Sequence, residues 1–113
     1  MTPTDLAQRQ LDAYNARDLV AFTACYSDTV QVFRPPSPLP SLSGKAALAA
    51  FYATHRFNRP ALRAELLNRM VLGNTVIDHE RIHGVEAQPL ELAVVYRVHD
   101  DLIQTVHAFA ATA

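Results

Sequence analysis

The sequence lacks the features that would tie it to a membrane, an oxidising compartment or a nucleic acid. Its single cysteine, Cys25, cannot form an internal disulfide, so a reducing compartment is the simplest home. No apolar run approaches the roughly 20 residues needed to span a bilayer, and the N-terminus does not resemble a signal peptide. With a net charge of −1, basic residues are too scattered for a nucleic-acid surface. We therefore expect a cytoplasmic protein that binds neither nucleic acid nor membrane.

What is present is ordinary globular composition. Half of the 113 residues are hydrophobic and 19% are charged, which is typical of a folded chain and not of a disordered one. Two independent cores would each be too small to be stable. We therefore expect a single domain over residues 1–113.

Apolar residues at helical spacing predict three helices in the N-terminal half. Thr2, Asp18 and Ser43 each precede such a segment and suit the N-cap position. The predicted helices cover residues 3–16, 19–26 and 44–57.

A short strand and a proline-rich segment separate the second and third helices. Residues 29–33 are β-branched and alternating, which predicts a strand. Residues 34–43 contain four prolines, so they can form neither a helix nor a central strand. A rigid connector is the favoured interpretation, and a docking peptide of the PxxP type is the alternative.

The C-terminal half changes to a period of two, which predicts a run of antiparallel strands. Gly73 and Asn74 form a two-residue hairpin turn of the kind that opens with glycine. Helices followed by such a run indicate the α+β class. The predicted strands cover residues 62–72, 75–83, 90–98 and 102–109.

Several segments, taken in order, resemble one known superfamily. They are residues 14–19, Phe22, residues 26–28, residues 43–47, Phe51-Tyr52 and residues 76–81. Their order and spacing resemble the nuclear-transport-factor-2-like superfamily, and residues 76–81 resemble its polyketide-cyclase-like (SnoaL-like) branch. The resemblance implies a cone-shaped, cystatin-like or ketosteroid-isomerase-like fold, with three N-terminal helices packed on a strongly curved antiparallel sheet. It also implies a pocket at the wide end and, commonly, a homodimer through the outer sheet face.

The resemblance does not extend to the ketosteroid isomerase catalytic groups. That chemistry needs an aspartate base and an oxyanion hole made of a tyrosine and a protonated aspartate. This sequence has Gln10 at the position of the tyrosine and Arg34 at the position of the base, and Val94 lies at or near the position of the second aspartate. Isomerisation by that set of groups is therefore not expected.

Residues 75–83 are the most informative polar segment, and two orientations of this strand are open. Alignment with the isomerase pattern directs His79, Arg81 and His83 into the pocket. A slip of one residue would instead direct Asp78 and Glu80 inward.

The first orientation suggests a set of catalytic and binding residues. His79 and His107 would form a general acid/base pair, Tyr14 would donate a proton, and Arg81 would hold an anionic or enolate oxygen. Each histidine can equally be a structural one, and Tyr14 can equally be a core residue. The other predicted substrate-binding residues are Arg34, His55, Tyr96 and Phe109.

No metal or cofactor is predicted. His79 to His83 matches the letters of the HExxH zinc motif, but that motif requires a helix, and these residues are predicted to form a strand. The main hypothesis is a cofactor-independent isomerase, cyclase or dehydratase that binds a small, hydrophobic, oxygenated ligand. The alternative is a non-catalytic dimeric ligand-binding or adaptor domain.

Overall fold

The structure, a computed structural model, describes residues 1–111 of the chain. Three helices lie on one face of a six-stranded sheet, as the α+β class predicts. The elements are α1 Pro3–Ala16, α2 Leu19–Thr23, β1 Tyr26–Phe33, β2 Pro40–Ser43, α3 Lys45–His55, β3 Arg63–Leu72, β4 Thr75–His83, β5 Leu90–His99 and β6 Leu102–Ala110.

The first two helices begin at the predicted caps. The Thr2 hydroxyl accepts a hydrogen bond from the Asp5 N–H, and the Asp5 carboxylate accepts one from the Thr2 N–H, both at 3.0 Å. Asp18 caps α2 by accepting from the Ala21 N–H at 3.1 Å. These capping bonds, reciprocal in α1 and single in α2, satisfy N–H groups that the first helical turn would otherwise leave unpaired.

Two predictions in the connecting region are wrong. The second helix ends at Thr23 rather than at residue 26, because Tyr26 pairs with Ile103 in the sheet. The proline-rich connector contains an additional strand, β2, which includes Ser43, so Gly44 and not Ser43 stands at the N-cap of α3. Within residues 1–111, β2 pairs with β1 alone, and an edge strand of this kind tolerates proline because one of its sides needs no ladder bonds.

The sheet has the strand order β2-β1-β6-β5-β4-β3. The pairing of β1 with β6 is parallel and the other four pairings are antiparallel. The predicted run from β3 to β6 is confirmed, with Gly73 in a left-handed conformation at the first hairpin turn. The curved sheet wraps around the helices, so its inner face and the helices share one core. No helix among residues 1–111 is long and apolar enough to cross a membrane.

Candidate functional site

A cavity of about 150 Å³ lies between the helices and the inner face of the sheet. Aliphatic and aromatic side chains form most of its wall, contributed by all three helices and by strands β1 and β3 to β6. A small number of polar groups in an apolar wall is the usual composition of a small-molecule site. The polar or titratable side chains in the wall are Gln10, Tyr14, Tyr26, Arg34, Tyr52, Arg56, Glu80 and Tyr96.

Strand β4 presents its two carboxylates to the interior. Val76, Asp78, Glu80 and Ile82 are each 5% exposed or less. The strand therefore adopts the second of the two orientations considered from the sequence. The hairpin register explains this, because β4 pairs Glu80 with Leu66 of β3, and both residues lie on the face that packs on the helices.

Glu80 is the one carboxyl group in the cavity wall among the residues described. It is 4% exposed, and its Oε2 atom has no hydrogen-bond partner within residues 1–111. Burial raises its pKa from 4.5 to about 7, and the negative charge of Asp78 adds to the increase. The Arg69 charge and the Tyr96 hydroxyl oppose the shift without cancelling it. Glu80 can therefore both release and accept a proton near neutral pH.

Asp78, by contrast, is paired with an arginine. Arg69 donates two hydrogen bonds to it, from Nε at 2.7 Å and from Nη2 at 2.9 Å, and a third from Nη1 to Gln8 at 2.9 Å. This two-pronged geometry is the strongest common pairing of a guanidinium with a carboxylate. It supplies the fully buried Asp78 side chain with hydrogen bonds and a counter-charge beside Glu80.

A short hydrogen-bond chain crosses the bottom of the cavity. The Tyr26 hydroxyl donates to Gln10 Oε1, and Gln10 Nε2 donates to the Tyr96 hydroxyl, both at 3.2 Å. Because Tyr96 accepts this bond, its own proton is free to point towards Glu80 or towards a ligand oxygen. Burial raises the pKa of both tyrosines well above 10, so both hydroxyls stay protonated.

Three of the predicted site residues lie in the cavity wall: Tyr14, Arg34 and Tyr96. Tyr14 packs edge-on against Phe57, with ring centroids 5.6 Å apart, and burial raises the pKa of its hydroxyl. Arg34 follows the last residue of β1 and is exposed at the open end of the cavity.

The expectation that His79 and Arg81 face the pocket is wrong. Both project from the opposite face of β4. His79 Nε2 lies 3.0 Å from Glu91, and Arg81 lies 3.7 Å from both Glu65 and Glu91. Alternation along the strand places these residues outside once Asp78 is inside. They belong to a surface ion-pair network.

The inward orientation expected for His107 and Phe109 is also wrong. On β6, Val106 and Ala108 line the cavity, so the residues between and after them point outward. His107 stacks on Phe33 of the neighbouring strand, with ring centroids 4.8 Å apart and an interplanar angle of 9°. Phe109 is 45% exposed.

His55 does not reach the interior either. It is the last residue of α3 and is exposed, with its ring 5.1 Å from that of Phe51. Phe57, two residues further along the chain, packs against the rings of Tyr14 and Tyr52 instead. An aromatic hydrocarbon needs no hydrogen bonds there, whereas an imidazole would.

The HExxH letters do not form a zinc site in this fold. Residues 79–83 belong to a strand, and His83 lies 3.0 Å from Glu65, on the outer face. Within residues 1–111 there is no group of three or more histidine, cysteine, aspartate or glutamate side chains that could hold a metal ion.

A family model described as the SnoaL-like domain matches residues 7–106. The chain belongs to the SnoaL-like domain family. The match covers the helices, the cavity and most of the sheet, and it confirms the resemblance predicted from the sequence. Comparison with curated protein sequences finds no match for this SnoaL-like domain.

Solved structures confirm the cone-shaped fold of this SnoaL-like domain. A candidate ketosteroid isomerase from Kribbella flavida shares 20% identity, with a TM-score of 0.84, over 98% of this chain and 78% of that one. A cystatin-fold protein from Novosphingobium aromaticivorans shares 20%, with a TM-score of 0.85, over 96% and 97%. A candidate polyketide cyclase from Sinorhizobium meliloti shares 17%, with a TM-score of 0.79, over 92% and 93%.

Sequence reasoning did not assign site roles to Gln10, Tyr26, Tyr52, Arg56 and Glu80. A usable signal existed for Glu80. Its strand face carries two aliphatic residues, Val76 and Ile82, whereas the opposite face carries one. Counting aliphatic side chains on each face would have favoured the carboxylates as the inward side.

Proposed function

We propose that this SnoaL-like domain is a cofactor-independent enzyme that moves a proton within a small, hydrophobic, oxygenated molecule, with Glu80 as the acid/base. One observation carries the proposal: a buried carboxyl group, with an unpartnered oxygen and a pKa of about 7, stands in the wall of an apolar cavity. Perturbed groups of this kind concentrate at catalytic sites. Isomerisation, cyclisation and dehydration all begin with such a transfer.

The step is a proton transfer from carbon. The Glu80 carboxylate removes a proton from the carbon beside a ligand carbonyl, and the C–H electron pair becomes the new C=C bond of an enolate. The Tyr96 hydroxyl, held by Gln10, donates a hydrogen bond to the enolate oxygen. In a ligand with a C=C bond between the β- and γ-carbons, this enolate is a dienolate, and protonated Glu80 returns the proton to the γ-carbon. The double bond then lies between the α- and β-carbons, which completes an isomerisation and restores the carboxylate.

The cavity favours this proposal over a non-catalytic adaptor. An adaptor has no need for a buried carboxyl group with one oxygen unpartnered, because such a group lowers the stability of the fold. Active sites often contain a group of this kind, which is retained for its chemistry.

Hydrogen–deuterium exchange at a carbon atom tests the proposal. We expect the wild-type protein to accelerate deuterium exchange at the acidic α-carbon of 2-tetralone in D₂O, measured by ¹H NMR. Glu80→Gln should lower the rate by about 10²–10⁴-fold, since general base catalysis contributes that much. Glu86→Gln, on an exposed loop residue, is the matched control and should change nothing.

The pH dependence provides a second readout. The wild-type exchange rate should rise with an apparent pKa near 7, because Glu80 acts in its ionised form. Equal exchange rates for the wild type and Glu80→Gln would refute the assignment.

A homodimer through the outer sheet face stays a prediction. Half-exposed Phe109 and the stacked pair of Phe33 and His107 are the side chains that a second copy would cover. Sedimentation equilibrium giving a monomer mass at micromolar concentration would contradict it.

A further inference from the structure

The open end of the cavity is marked by two arginines. The side chains at the bottom of the wall are buried, whereas Arg34 is exposed and Arg56 is half-buried, so the cavity opens beside them. Arg34 follows the end of β1, and Arg56 follows the last residue of α3. Two elements far apart in sequence thus bring two guanidinium groups to one rim.

Phe51 holds both groups in place. The Cζ atom of Arg34 lies 5.9 Å from the centre of the Phe51 ring, and that of Arg56 lies 5.1 Å from it. The Arg56 Nη1 also donates to the His55 carbonyl at 2.9 Å. Contacts with an aromatic face restrain long side chains without neutralising their charge.

Neither charge is paired within residues 1–111. No carboxylate in that range lies within 4.0 Å of either guanidinium, and none of the ion pairs found there includes Arg34 or Arg56. Their positive charge extends into the cavity. Burial raises the pKa of Tyr52, and both arginines oppose the increase.

The cavity therefore has two polar ends with an apolar wall between them. At the bottom lie a hydroxyl donor, Tyr96, and a proton acceptor, Glu80. At the rim lie the two arginines, with five donors each and a geometry suited to a carboxylate. A neutral ligand would leave these cations without a partner.

We infer that the substrate is an amphipathic acid, whose carbonyl oxygen enters first and whose carboxylate stays at the rim between Arg34 and Arg56. This rests on the proposed function, because the carbonyl end is assigned from Glu80 and Tyr96. The arginines set specificity and orientation: an acid held at the rim can enter in only one direction. A keto acid with an apolar body matches both ends.

A matched pair of probes tests the inference. The probes are 4-acetylbenzoate and its neutral amide, 4-acetylbenzamide, which share the ketone, the ring between the two polar ends and nearly the same size. Isothermal titration calorimetry should show the carboxylate binding at least ten-fold more tightly. Raising the salt concentration should weaken binding of the carboxylate and leave the amide unchanged.

Variants test whether Arg34 and Arg56 cause the tighter binding of the carboxylate probe. Arg34→Gln combined with Arg56→Gln should remove it, leaving the two probes with similar affinity. Arg97→Gln, on an exposed arginine of β5 outside the cavity wall, should retain it. Circular dichroism melting of each variant establishes that it is folded.

The outcomes separate the two proposals. Equal affinity for the two probes, or a preference for the carboxylate that remains in the double variant, would overturn the inference that the substrate is an amphipathic acid. Neither result would affect the assignment of Glu80 as the base. Absence of binding by both probes, together with no exchange of 2-tetralone, would overturn both.

Discussion

Asp78 and Glu80 lie two residues apart on the same buried face of β4, yet only Asp78 has an arginine hydrogen-bonded to it. The Arg69 guanidinium pairs with the Asp78 carboxylate, and the charge of Asp78 helps to raise the pKa of Glu80. One strand thus carries an ion-paired structural carboxylate, Asp78, and a carboxyl group without such a partner, Glu80, whose pKa is raised to about 7.

The first prediction concerns the stability of the fold as a function of pH. Burial raises the pKa of Glu80 from 4.5 to about 7, so the unfolded chain loses this proton first as the pH rises. Below pH 4.5 the group is neutral in both states and costs nothing. Between pH 4.5 and about 7 the folded state loses stability, by on the order of 3 kcal/mol in total, and the loss is constant above that range.

Glu80→Gln removes this titration. The free energy of unfolding of the variant, minus that of the wild type, should increase between pH 5 and pH 7 and then level off. Urea unfolding at several pH values measures this difference in free energy. For Glu86→Gln, the same difference should not change with pH. A flat difference for Glu80→Gln would show that Glu80 has an ordinary pKa.

The second prediction concerns the partner of Asp78. Asp78→Asn leaves the guanidinium of Arg69, whose side chain is only 13% exposed, without its counter-charge. Removing one partner of a buried ion pair typically costs about 3–5 kcal/mol, and we expect a loss of that order in urea unfolding. Asp28→Asn, on an aspartate that is 93% exposed beside Lys45, should cause little change.

Asp78→Asn should also lower the pKa of Glu80. The variant removes a negative neighbour and leaves Arg69 free to favour the Glu80 carboxylate. ¹³C NMR titration of the carboxyl carbon measures this directly. An unchanged or higher pKa would contradict the coupling.

The third prediction compares two glycines in left-handed conformations. A Cβ atom at Gly84 would clash with the backbone carbonyl of Ala61, whereas one at Gly73 would meet nothing within 4 Å. Gly73→Ala should cost only the conformational strain, about 1–2 kcal/mol. Gly84→Ala should cost at least about 2 kcal/mol more, because a backbone clash cannot be relieved by a side-chain rotation. Equal melting temperatures for the two variants would refute this.

Local signals predicted most of the elements correctly. Thr2 and Asp18 cap the helices at the expected positions, and the turn at Gly73 begins the predicted hairpin. These features depend on neighbours within a few residues, so the sequence alone contains them. The errors occur where a distant element competes: Tyr26 leaves the helical pattern for a strand because β6 offers it a partner.

The candidate site was predicted less well than the fold. Tyr14, Arg34 and Tyr96 are in the cavity wall, but His79, Arg81, His107, Phe109 and His55 are not. The three histidines among them suit acid/base chemistry, but alternation alone cannot say which side of a strand is inside. A polar side chain is informative only once its face is known.

By itself, the sequence determined the elements, the turns and the SnoaL-like family, because capping, period and glycine conformation are local properties. Only the tertiary structure decided which face of β4 is inside. An alternating strand satisfies its own backbone equally well in either orientation, and only packing against β3, β5 and the helices distinguishes the two. The same packing removes water from Glu80 and gives it a pKa near neutrality, a property that no segment of the chain has alone.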